Sequence, residues 1–127
     1  KPSRASNVYQ NMVDAHGPAK ALDGDPSTRW ATDAGVHAAW LEVDLGEPTA
    51  VARAFVSEAF DRSRKFAIEY KDASGAWKEA ARGTQIGEGG VTREFAPVAA
   101  RVWRLNVADA TDGPTIWEFQ LFAAKKR

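Results

Sequence analysis

At 127 residues the chain is long enough for one domain with a real core and too short for two. Its 17 Lys and Arg offset 17 Asp and Glu, so no basic face for phosphate is expected, which argues against nucleic acid. No apolar run approaches the roughly 18 residues of a spanning helix, and the absence of Cys rules out disulfides and thiolate metal sites. Starting at Lys1 rather than Met, with no leader, the chain reads as a module cut from a longer protein, spanning 1–127 as a single unit.

Residues 1–19 mix Ser, Asn, Gly and Pro with few apolar positions, and Val8 is assigned to a short first strand. A turn-rich stretch, Lys20-Ala-Leu-Asp-Gly-Asp-Pro-Ser-Thr-Arg-Trp30, follows. In Trp40-Leu-Glu-Val-Asp-Leu45 the residues Leu41, Val43 and Leu45 alternate with Glu42 and Asp44, the period of a half-buried strand. Gly46 to Pro48 turns the chain into a second strand over 51–56. Phe66-Ala-Ile-Glu-Tyr70 alternates, and Asp72-Ala-Ser-Gly75 is a hairpin loop before Trp77. Val91, Arg93 and Phe95 share one face, as do Trp103, Leu105 and Val107. The last strand, Ile116-Trp-Glu-Phe-Gln-Leu-Phe122, places Trp117, Phe119 and Leu121 opposite Glu118 and Gln120. Short strands between Gly, Pro and Asp turns predict an all-β sandwich or jelly roll, and Lys125-Lys126-Arg127 reads as a solvated tail.

Asp23-Gly24-Asp25-Pro26 is dense turn chemistry that aims carbonyls inward, with Asp23 and Thr28 able to add side-chain oxygens. Such an all-oxygen set suits a hard cation such as Ca²⁺, with Glu118 supplying the missing carboxylate. The same stretch reads equally as a surface turn whose Asp residues cap the backbone. Of enzyme motifs there is no G-x-S-x-G, P-loop or H-E-x-x-H, and His16 and His37 lie apart without ligand spacing. The five Trp are assigned to packing rather than to a sugar platform.

Three stretches together, Ala21 to Trp30, Trp40 to Gly46 and Ile116 to Phe122, joined by Arg101-Val-Trp-Arg-Leu105, resemble the coagulation factor V/VIII type C (discoidin) superfamily. Within it they are similar to the family 32 carbohydrate-binding modules. Val56-Ser-Glu58 and Gly83 to Gly87 are further similar to modules of bacterial α-L-fucosidases. The resemblance implies an eight-stranded antiparallel jelly roll with adjacent termini and one structural calcium, or sodium in its place. Its ligands would be the Lys20 carbonyl, Asp23 carboxylate, Asp25 carbonyl, Thr28 carbonyl and hydroxyl, Trp117 carbonyl and Glu118 carboxylate.

Loops on a β-scaffold are where recognition is expected. By resemblance to fucose- and galactose-binding relatives, His37 and Arg62 would contact sugar hydroxyls, with Phe60 on the sugar's apolar face and Arg64 assisting. The rest of that lectin motif departs, with Arg64 where an Asp is expected and Glu69 where a basic residue is expected. The loop reads equally as a solvated segment whose Arg residues pair with Glu58 or Asp61.

These readings converge on a non-catalytic carbohydrate-binding module, an accessory domain of a glycoside hydrolase, weakly binding galactose- or fucose-type glycans. The resemblance implies an extracellular or periplasmic setting. The rival is a structural sandwich that buttresses a fucosidase catalytic domain without binding sugar. Membrane binding of the discoidin type is disfavoured, because the loops carry Ala, Gly and Asp rather than apolar spikes beside basic residues.

Overall fold

The computed structural model describes residues 2–124, and the basic tail at 125–127 lies outside them. Strands β1 (Ser3–Ala5), β2 (Trp30–Ala31), β3 (Ala39–Glu58), β4 (Ser63–Lys71), β5 (Trp77–Gly83), β6 (Val91–Ala110) and β7 (Thr115–Ala123) form the fold. Between β1 and β2 lie a 3₁₀ turn at Tyr9–Asn11, the single helical turn α1 (Val13–His16) and a second 3₁₀ turn at Pro18–Ala21. All pairings are antiparallel, in the order β2-β7-β3-β6-β4-β5 with β1 on β3.

The sandwich is a sheet folded over on itself. Strands β3 and β6 pair twice, 39–44 with 102–107 and 49–56 with 91–100, and the register breaks between Asp44 and Thr49. At that crease Gly46 adopts φ +91 and Pro48 has no N–H to give the ladder. One leaf contains β1, the first part of β3, the last part of β6, β4 and β5. The other contains β2, β7, the last part of β3 and the first part of β6. Asp44 donates its N–H to the Pro2 carbonyl at 2.9 Å and Ala124 to the Ala50 carbonyl at 2.8 Å, so both described ends lie at the crease.

Among the described residues the strands therefore number seven rather than the expected eight. The segments 40–45 and 51–56 stay extended through the crease and merge, as do 91–95 and 102–107. Val8 is not in the first strand; it lies beyond β1 and leans on the core as a partly buried residue.

Alternation explains the core. Leu41 and Val43 of β3, Phe66 and Ile68 of β4, and Trp103, Leu105 and Val107 of β6 point between the leaves and are buried. Trp30, Val56, Ile116 and Phe119 meet them from the other side. Both buried indoles are satisfied, Trp103 Nε1 donating to the Ala100 carbonyl and Trp30 Nε1 to the Asn7 carbonyl.

In β7 the simple alternation fails. Ser57 faces Glu118 and Glu58 faces Ile116, which leaves Trp117 as the extra residue of a bulge. The expected apolar face of Trp117, Phe119 and Leu121 is thus broken: Phe119 is buried, Trp117 and Leu121 are half-buried, and Glu118 turns inward to 5% exposure.

Candidate functional site: a loop cleft and an oxygen-lined turn

Opposite the crease, the loops after β2, β3, β4's hairpin partner β5, and β6 come together, and Glu58 organises them. At 1% exposure it sits at the end of β3 with both carboxylate oxygens engaged. It accepts the backbone amides of Arg62 (3.0 Å), Ser63 (3.1 Å) and Gly87 (2.7 Å), and the Ser63 hydroxyl at 2.6 Å. A buried carboxylate is tolerated when several donors converge on it. Glu58 thereby sets the path of the 59–62 loop through its backbone.

Two aspartates fix the facing loops. Asp112 accepts the amides of Gly35 (2.9 Å) and Gly113 (2.8 Å), which hold its carboxyl below the usual aspartate range. Asp33 accepts the Gln10 amide at 2.7 Å and the Asn7 side-chain amide at 3.1 Å, and is likewise lowered. This second clamp brings the N-terminal segment, with Tyr9 and His16, against the loop after β2.

The result is a cleft of 270 Å³ lined by Tyr9, His16, Arg29, Phe60, Arg62 and Asp112, with Ala and Thr residues at its base. Phe60 is 44% exposed, unusual for so large an apolar ring. The Arg62 guanidinium carbon lies 4.3 Å from the ring centre and that of Arg29 lies 5.9 Å from it. Arg62 also donates through Nη1 to the Gly113 carbonyl at 2.9 Å, which pins it across the cleft.

Of the four expected sugar residues, Phe60 and Arg62 line the cleft. His37 is exposed on the neighbouring loop, its Nδ1 2.8 Å from the Ala110 carbonyl and its ring near enough to Asp112 to act on that carboxyl. Arg64 turns away: Nη1 meets Asp61 Oδ1 at 3.2 Å and Nη2 the Asp61 carbonyl. Asp61 sits below its ordinary range, first through the Gln85 amide and then through Arg64. Glu69 pairs with Arg104 at 2.6 Å across the β4–β6 ladder.

Tyr9, His16, Arg29, Asp112 and the supporting Glu58 were not singled out from the sequence as cleft residues. Arg29 stands in the best-marked stretch of the chain, but its strand neighbour Trp30 points to the core while it points out. The Thr111-Asp112-Gly113-Pro114 segment holds turn-forming residues, with nothing local to mark Asp112 as part of a cleft.

The second feature lies beside β7. The Thr28 hydroxyl has three oxygens around it, the Lys20 carbonyl at 3.0 Å, Asp23 Oδ2 at 2.6 Å and the Asp25 carbonyl at 3.1 Å. One hydroxyl proton cannot serve three acceptors. Beside this group Glu118 is buried with both carboxylate oxygens unpartnered. Burial, then the charges of Asp23 and Asp25, push its carboxyl up to about 7; the nearby Gly24 amide opposes this without making a hydrogen bond. The Asp25 carboxylate is turned onto Ser27, which leaves its carbonyl to face Thr28. An excess of oxygen acceptors around an unneutralised buried carboxylate fits a hard cation. No three His, Asp or Glu side chains converge among the described residues, so carbonyls and Thr28 would have to complete the shell.

A larger depression of 470 Å³ adjoins this turn, lined mainly by Leu22, Val43, Leu45, Phe119, Leu121 and Phe122. It is apolar and has few groups that could orient a sugar.

The model of the F5/F8 type C family described as the NedA-like, galactose-binding domain matches residues 20–105. The chain belongs to this family. No curated protein matches it in sequence. Among solved structures, chitosan-binding module 1 from a chitosanase/glucanase of Paenibacillus sp. IK-5 is 26% identical, with a TM-score of 0.85 over 97% of this chain and 95% of that one. Chitosan-binding module 2 of the same enzyme, in complex with chitotriose, is 24% identical with a TM-score of 0.84, covering 97% of this chain and 96% of that one. A protein assigned as an α-L-fucosidase of Bacteroides thetaiotaomicron gives 23% identity and a TM-score of 0.87 over 98% of this chain, which spans only 28% of its length. The F5/F8 type C domain described here thus has the fold of a carbohydrate-binding module. Among its described residues no helix is long and apolar enough to cross a membrane.

Proposed function

We propose that residues 1–127 act as a non-catalytic carbohydrate-binding module, an accessory domain of a secreted glycoside hydrolase that holds glycans weakly in the loop cleft. The observation that carries this reading is Phe60, exposed at the cleft with the Arg62 guanidinium stacked 4.3 Å away. An aromatic face beside a forked donor is what a pyranose ring with vicinal hydroxyls requires. In the galactose- or fucose-type reading, Phe60 packs on the sugar's apolar face, and Arg62 and the His37 ring bind hydroxyls. Arg64, held by Asp61, meets only a longer glycan. At a Kd near 1 mM such a site is worth about −4 kcal/mol, and tethering to a catalytic domain would raise the local substrate concentration.

The oxygen-lined turn is proposed to hold Ca²⁺, or Na⁺ in its place, through the Lys20, Asp25 and Trp117 carbonyls, the Asp23 and Glu118 carboxylates and Thr28. The ion would supply the positive charge that the buried Glu118 lacks. Its role would be structural, tying the turn before β2 to β7.

The apolar depression at Leu22, Val43 and Phe122 favours a second reading, in which the module buttresses a fucosidase catalytic domain through that face and binds no sugar. A glycan array on the module, followed by calorimetry, separates the two. Binding that is lost in Arg62→Ala supports the cleft; no binding to any glycan leaves the buttress.

A further inference from the structure

Resting on the cleft reading above, we propose that the cleft selects an acidic saccharide, a uronic acid whose carboxylate is bound by Arg29 together with Arg62. Arg29 lines the cleft and makes no hydrogen bond or ion pair with any described residue; its only contacts of note are with the rings of Phe60, at 5.9 Å, and Trp117, at 5.3 Å. Elsewhere, Arg4, Arg64, Arg82, Arg101 and Arg104 each have a carboxylate within 3.2 Å. A guanidinium beside two aromatic rings is restricted in position while its N–H fork stays available.

The other charges on the cleft do not cancel this. Asp112, its one carboxylate, has Oδ1 engaged by the Gly35 and Gly113 amides. It acts on Arg62 and His37 by charge alone, without an ion pair to either. Asp61, in the same loop as Arg62, is turned to Gln85 and Arg64 on the outer side. The cleft therefore carries two guanidinium groups against one carboxylate, one of whose oxygens is already held by the loops. His16 also lines the cleft, with its Nδ1 buried beneath the surface. A carboxylate accepts a bidentate, charge-assisted pair from such a fork, and a neutral hydroxyl does not match it. A cationic saccharide would be repelled.

The experiment is calorimetric titration of the protein with trigalacturonate, its methyl ester, galactotriose and chitotriose, in wild type, Arg29→Ala, Arg29→Lys and Arg62→Ala, with melting temperatures recorded for each. The ester keeps the skeleton and hydroxyls of the acid and removes its charge. Expected is at least tenfold tighter binding of the acid than of the ester or galactotriose, and no binding of chitotriose. Arg29→Ala should abolish that tenfold preference while the protein still melts cooperatively, and Arg29→Lys should recover only part of it, because the point charge survives without the fork. Equal binding of acid and ester, preference for galactotriose or chitotriose, or an acid preference that persists in Arg29→Ala overturns the proposal while leaving a sugar-binding cleft in place. No binding of any saccharide overturns both.

Discussion

Glu58 holds Arg62 by its backbone and not by its guanidinium: the Arg62 amide donates to Glu58 Oε1 at 3.0 Å, and the side chain is left to cross the cleft to Gly113. One buried carboxylate so positions the loop that carries the exposed Phe60, the Ser63 start of β4 and the Gly87 turn before β6.

Replacing Glu58 by Ala removes the acceptor from several buried donors at once. The expected cost is about 3–5 kcal/mol, read as a fall in the urea midpoint, with sugar binding lost as well. Gln keeps the shape but brings an NH₂ among donors, so it should recover less than half of that loss.

Arg62→Ala should reduce binding of any cleft ligand at least tenfold, from loss of a charge-assisted donor. Stability should also drop by roughly 0.5–1.5 kcal/mol, because the bond to the Gly113 carbonyl goes with it. Calorimetry and thermal melts on the same samples check both.

Calcium at a hundredfold excess over its Kd should raise stability by about 2.7 kcal/mol, roughly 10 °C in Tm for a domain of this size. Asp23→Ala should remove the response. A melt that is the same with calcium and with EDTA would show that the turn holds no ion.

In EDTA the pH dependence should run opposite to that of the surface aspartates. The Glu118 carboxyl is raised from 4.5 to about 7 in the folded chain, so its favourable state is the protonated one. That contribution is complete below 4.5 and is lost as pH rises through 7. Asp33 and Asp112 are lowered from 3.8, so their contribution is present above 3.8 and is lost as the solution becomes more acid. Metal-free protein should therefore melt lower at pH 8 than at pH 5. Glu118→Gln should flatten that slope and, at pH 8 in EDTA, melt above wild type.

Much of this fold was legible because its strands alternate strictly. Leu41/Val43, Phe66/Ile68 and Trp103/Leu105/Val107 are buried where the two-residue period puts them. The hairpin at Asp72–Gly75 was legible too, since Asp72 caps the turn through the Ser74 and Ala76 amides and Gly75 takes φ +85. Local pattern could not show that the backbone continues through Gly46–Pro48, nor that a bulge at Trp117 rotates Glu118 inward, because both are set by the strand opposite. The turn's oxygens were readable from residue types, and Phe60 and Arg62 from their loop. Arg29, Asp112 and Tyr9 come from three separate segments, and only the tertiary clamps at Asp33 and Asp112 bring them together.

The crease has a kinetic consequence. The two long strands β3 and β6 each run through both leaves, so neither leaf is complete while the other is absent. The ladders that close the sheet join residues distant in sequence, Ser3 to Val43 and Val51 to Ala123. Loop-closure entropy must therefore be met before most of the native contacts reward it, which places folding in the slow range of milliseconds to seconds.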